Sequence, residues 1–242
     1  MIFIGGIMRG RRGPINNRQQ LAKPNGGVTY LIEDPLRQCG QKARNDFRLK
    51  MEVLKGIAVN FRGVRNEADL AALFTAALVQ IFPGSESLLL TKKSNAYQVI
   101  AAVGEQLESE KLDLSAPSSI VRRAGEAQVI QRRVIYFPDL ATDKIFLASK
   151  FDQVQGDGLE ENKHELEEGT LKGSALKIDL TAVRRAKLPA VAVAPLLEYP
   201  QFDPVGAIFM AGDKEFLNPF TDLIILREFA DAIAKKMARL TI

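Results

Sequence analysis

The stretch Leu188–Leu240 reads LPAVAVAPLLEYPQFDPVGAIFMAGDKEFLNPFTDLIILREFADAIAKKMARL. Two apolar runs, Ala190–Leu197 and Val205–Met210, flank a connection holding Pro200, Asp203 and Pro204. Short runs rich in Val, Ile and Phe, bounded by turn residues, predict two strands of a hairpin. After a break at Gly212–Asn218, Pro219 is expected to open a long helix. Along it Leu223, Leu226, Ala230, Ile233, Met237 and Leu240 recur at spacings of three and four, with Ile225 and Phe229 beside them. That spacing is a stripe of the coiled-coil type.

Working outward, the spacing of Phe47, Met51, Leu54, Ala58 and Phe61 predicts a helix from Gln41 to Phe61. A second helix follows, with Glu67 and Asp69 in its first turn, where carboxylates suit the helix dipole. Leu70, Leu73, Phe74, Ala77, Leu78 and Ile81 form its apolar face, and Pro83-Gly84 stops it. Ser87–Thr91 and Tyr97–Val103 read as paired strands around Ser94-Asn95. Ser118–Gly125 reads as a short helix or turn. Gln128–Ile135 reads as a strand, closed by Tyr136-Phe137-Pro138-Asp139.

These elements carry a resemblance. Val193-Ala194-Pro195-Leu196, Val205-Gly206-Ala207-Ile208, Asp213-Lys214 and Pro219-Phe220-Thr221-Asp222 resemble the C-terminal half of a GAF domain, a small-molecule-sensing relative of the PAS fold. Ser119–Asp139 resembles the family's middle segment, where a short helix and a strand line the ligand pocket. The resemblance covers roughly residues 60–240. It implies an α/β fold with a six-stranded antiparallel sheet flanked by helices. It also implies a pocket, for which Phe137, Asp139, Phe146, Val193 and Phe209 are the candidates.

The rest of the chain departs from that pattern. Residues 1–40 read as a basic N-terminal extension, with Arg9, Arg11, Arg12, Arg18 and Lys23 and no acid before Glu33. Within it Val28–Ile32 has the composition of a short docking strand. Residues 41–242 are the GAF-like domain, ending in the helix over 220–241. Residues 151–188 are expected to be a charged insertion outside the core, because Asp152–Glu168 holds seven acids against Lys163 alone. Such charge-dense segments bury little apolar area.

Composition narrows the chemistry. The 242 residues carry a net charge of +4, a sequence pI of about 9.1 and 46% hydrophobic residues. A mildly basic chain tolerates anionic partners without demanding one. The opening MIFIGGIM is too short to span a membrane, and its positive charges follow the apolar run, the wrong order for a secretory signal. The single cysteine, Cys39, fits a reducing, cytoplasmic setting. With one histidine, His164, it cannot build a Cys/His zinc site. There is no phosphate-binding glycine loop, no HExxH and no GxSxG, so catalytic residues are expected to be none.

The same inventory tests what the resemblance implies. The GAF-type sulfoxide reductases depend on redox cysteines, and Cys39 has no partner. Covalent bilin attachment needs a cysteine, and residues 60–242 hold none. Haem-binding members use an apolar-flanked histidine, whereas His164 stands in Glu161-Asn162-Lys163-His164-Glu165. No cofactor is therefore expected. Asp213, Lys214 and Asp222 resemble a variant of the cyclic-nucleotide signature, in which the lysine and the later aspartate form an ion pair. The family commonly pairs through its end helices, so Met51, Leu54, Leu226, Ile233, Met237 and Leu240 are the expected interface of a homodimer or protein partner. The reading is a non-enzymatic sensory or regulatory module with a small-molecule ligand. A ligand-free assembly subunit and a nucleic-acid binder acting through the basic tail are the two alternatives.

Overall fold

The computed structural model describes residues 18–22, 28–32, 34–104, 119–125, 133–142, 144–154, 160–170, 188–199 and 203–240. The apolar runs Ala190–Leu197 and Val205–Met210 lie in strands β8 (Ala190–Glu198) and β9 (Asp203–Gly212), paired antiparallel, with Val193 opposite Phe209. The first eight residues of β8 are all buried. A strand covered on both faces needs such a continuous apolar run. Gly206 lets β9 approach its other neighbour: a Cβ there would stand 2.1 Å from the Leu90 carbonyl oxygen.

Around that hairpin lie β1 (Arg18–Ala22), β2 (Val28–Ile32), β3 (Glu86–Lys93), β4 (Ala96–Val103), β5 (Val134–Phe137), β6 (Lys144–Val154) and β7 (Glu160–Thr170). The described strands form one sheet of nine in the order β1-β2-β7-β6-β5-β8-β9-β3-β4, and every described pairing is antiparallel. The α/β class and the antiparallel sheet agree with the sequence reading. The count exceeds the expected six, because β7 and the two N-terminal strands join the same sheet.

One sequence expectation is corrected by that extension and another is met. The first half of the supposed insertion lies within the sheet: β7 pairs along its length with β6 and at Leu166–Glu168 with β2. Leu166 is 1% exposed, inside the main core. Charge density misleads here, since one apolar residue and a backbone ladder anchor the strand. Residues 171–187 of that insertion lie outside the described residues. The expected docking strand Val28–Ile32 is met: as β2 it ties the N-terminal extension to the domain, whereas the arginines at 9, 11 and 12 lie outside the described residues.

Helices cover the sheet unequally. On one face lie α1 (Gln41–Asn60), α2 (Glu67–Ile81) and α4 (Asp222–Leu240). The Asn66 side chain caps α2 by accepting from the Asp69 N–H at 2.8 Å, which satisfies an otherwise orphaned donor. Phe74 of α2 and Phe229 of α4 stack at 6.0 Å. Under α4 the sheet presents Ala192 and Ala194, whose small side chains let the helix sit close. The helix begins at Asp222, three residues after Pro219. The turn between them is closed by the Asp222 N–H donating to the Asn218 carbonyl at 2.8 Å. The short helix α3 (Ile120–Gly125) contributes to a separate core on the other face. Among the described residues no helix is long and apolar enough to cross a membrane.

Candidate functional site

The two-residue period of strands divides the sheet into two apolar cores. The helical core takes Val134, Tyr136, Ala192, Ala194, Ile208 and Met210. The second core takes Ile135, Phe137, Val191, Val193, Ala207 and Phe209. Three pocket candidates, Phe137, Val193 and Phe209, therefore share the second face. Val193 stands opposite Phe209 on one side and Ile135 on the other, and Phe137 opposite Val191. The row extends to Leu147 on β6 and Leu88 on β3, crossing five strands. Ile120, Val121 and Ala124 of α3 belong to the same core, with Leu140 and Leu188.

Phe146 does not join them. It lies directly opposite Tyr136 and shares its face, where the two rings stack at 6.2 Å in the helical core. Its register places it one residue out of phase with the candidate row. Asp139 stands just beyond β5, at the rim. Its Oδ2 lies 2.8 Å from Lys214 Nζ, and its Oδ1 accepts from the Ala141 N–H at 2.9 Å. The Lys214 hydrogen bond, then the Ala141 N–H, hold the Asp139 carboxyl below its usual range. The Glu215 N–H donates to the Pro138 carbonyl at 2.9 Å, which pins the two rim turns together.

The ion pair implied by the cyclic-nucleotide signature is thus built differently. Lys214 pairs with Asp139, whereas Asp222 faces α1, with Lys50 Nζ at 2.7 Å and the Asn218 N–H at 3.0 Å. The buried carboxylate at the start of α4 thus bridges the neighbouring helix, through Lys50, and the turn before α4, through the Asn218 N–H.

A polar pair that the sequence reading passed over closes one end of the row. Arg133 Nη1 meets Glu167 Oε2, and both side chains are largely buried. Glu167 is opposite Leu147 in register, and Arg133 precedes Ile135 by two, so alternation puts both on the second face. Strand parity from Ile135 and Phe137 was the signal that could have found Arg133. Glu167 was hidden inside the acidic stretch. Burying two charges is costly unless they pair, so this contact is a fixed feature of the face.

Of the six residues expected at an interface, four are placed inside the chain and two at the margin of its core. Leu54, Leu226, Ile233 and Met237 are buried in the helical core, and Met51 and Leu240 pack against it. The three–four stripe of α4 is spent on its own sheet and on α1 and α2. Nearly the whole circumference of its N-terminal half is buried, which explains the second stripe without a partner. Cys39 is buried at the start of α1, beside Arg44 and near Asp222, on the helical side. His164 falls in β7 opposite Lys150. Among the described residues no group of three His, Cys, Asp or Glu is placed to hold a metal ion.

No family model matches the chain, and no curated protein matches it. Solved structures do. A phycoerythrobilin-bound GAF domain from a cyanobacterial phytochrome superposes with a TM-score of 0.53 at 17% identity, covering 79% of this chain and 96% of that one. The chromophore-binding domain of the bacteriophytochrome RpBphP3 from R. palustris gives 0.54 at 10% identity, over 93% of this chain and 74% of that one. A far-red absorbing dark state with bound biliverdin gives 0.52 at 11% identity, over 78% and 99%. Likeness at such identities is one of fold. The antiparallel sheet with helices on one face and a short helix on the other, matched across whole GAF domains, makes this chain a GAF-type fold.

Proposed function

We propose that the chain is a non-enzymatic sensory or regulatory module whose second sheet face takes a small, largely apolar molecule. The observation that carries this reading is the second core itself: an apolar row, Leu147–Ile135–Val193–Phe209–Leu88, ending at the buried Arg133–Glu167 pair. Ligand sites on proteins are mostly apolar with a few placed polar groups that fix orientation. Arg133 and Glu167 supply both signs of charge at one end of the row. Asp139 and Lys214 supply a second pair at the rim. The fold likeness to bilin-bound domains supports an apolar occupant of some size, held without a covalent bond because residues 60–242 contain no cysteine.

The test is mass spectrometry of the chain purified from its own host, under native and denaturing conditions. The expected result is an added mass that survives native spray and is lost on denaturation. A bare polypeptide mass under both conditions would instead favour the assembly-subunit reading, in which the chain's own side chains fill the face.

A further inference from the structure

Strand β4 closes one edge of the sheet, and among the described residues no strand pairs with its outer side. Its sequence is AYQVIAAV, eight residues without a charge or a proline. Natural edges are usually blunted by lysine, proline or bulges, since an open row of N–H and C=O groups templates further pairing. The sole such device on β4 is a bulge at Ile100, between the pairs Leu90↔Val99 and Leu89↔Ala101. Val99 is 39% exposed, and Ala96, Gln98 and Ala102 are exposed too. The opposite edge strand, β1, carries Arg18 within its five residues.

We propose that β4 pairs antiparallel with β4 of a second copy of this chain across a two-fold axis, joining two sheets edge to edge. A two-fold contact must be self-complementary, because each residue meets its counterpart's neighbours. The uncharged strand satisfies that along its length, since no like charges are brought opposite each other. Charges on the adjoining strand β3, one strand in from the edge, agree with it by sign. At the hairpin end stand Lys92 and Lys93, the latter 4.0 Å from Glu67. At the other end stands Glu86, whose carboxylate lies so near Gly104 that a Cβ there would be 2.1 Å away. Antiparallel pairing brings the lysine end of one copy toward the Glu86 end of the other, twice. Parallel pairing would set like beside like. This proposal does not rest on the ligand reading, because it uses neither the row nor its charged end.

One strand pair buries well under the roughly 1,200 Å² of a stable complex, so the dimer is a weak one, with a dissociation constant of about 10–100 μM. Sedimentation velocity of the full chain from about 5 to 500 μM spans that range. The expected result is a concentration-dependent dimer whose dissociation constant rises about tenfold or more in Val99→Lys and again in Ala102→Lys. Both positions are exposed, and circular dichroism checks the fold; if Val99→Lys fails to fold, Ala102→Lys decides. Leu49→Glu, on the exposed side of α1, should leave the dimer unchanged. A chain that stays monomeric throughout, or a dimer that survives both lysines, overturns the proposal. A dimer lost in Leu49→Glu overturns it in favour of a helical contact.

Discussion

Tyr136 shows how one side chain ties the sheet to the turn that launches α4. Its ring is fully buried between Phe146 and Phe216, and its hydroxyl accepts the Leu217 N–H at 3.3 Å. Burial pushes its pKa up to about 12 from 10.0, and the Leu217 hydrogen bond opposes that rise. The folded value exceeds the unfolded one, so the neutral phenol stabilises fully below the unfolded value. That contribution, about 2–3 kcal/mol, is lost between roughly pH 10 and pH 12. Tyr136→Phe should leave the Leu217 N–H without its acceptor, cost about 1–3 kcal/mol at neutral pH, and flatten the alkaline limb of a stability-against-pH curve from denaturant melts. Asp139 works with the opposite sign. Its carboxyl is held below 3.8, chiefly by Lys214, so its contribution is present above that value and fades as pH falls through the folded one. Asp139→Asn should remove that acid-side loss in the same melts. Ile233 is fully buried in the helical core. Ile233→Glu should therefore destabilise the monomer by about 3–5 kcal/mol, read as a lowered midpoint in urea. A variant with an unchanged midpoint would return the stripe to a surface.

At the scale of elements, what could be read from sequence was whatever carries a period. The helices over Gln41–Asn60 and Glu67–Ile81 and the β8–β9 hairpin follow from apolar spacing that local and tertiary forces both favour. The β7 half of the β6–β7 hairpin was not legible, because its burial is short: Leu166 and Glu167 are the described buried residues of β7. A strand held chiefly by its backbone ladder leaves little hydrophobic pattern to read. The same gap hid half of the candidate site, since Glu167 came from the stretch read as solvated. The consequence is testable. Removing residues 152–169 takes out the strand between β6 and β2, strips Arg133 of Glu167 and opens the helical core at Leu166. The deletion should abolish cooperative unfolding followed by circular dichroism. A melting temperature within a few degrees of the parent's would mean that the hairpin is not integral to the sheet.

At the scale of the whole molecule, one sheet separates two cores. The helical core holds the fold: α1, α2 and α4 bury their stripes against small and branched side chains, and Lys50–Asp222 links α1 to the start of α4. The second core is smaller, is covered by a six-residue helix and ends in charge. This division makes neighbouring residues of β8 a controlled pair, because Val193 faces the second core and Ala194 the helical one. Overpacking either should cost about 1–3 kcal/mol, yet only one should touch a ligand. The direct measurement is native mass spectrometry of the parent, Val193→Phe and Ala194→Val, each purified from the native host and each shown to be folded. The parent and Ala194→Val should carry an added mass that is missing from Val193→Phe. An added mass that survives Val193→Phe and vanishes in Ala194→Val, or no added mass in any of the three, would contradict the ligand reading.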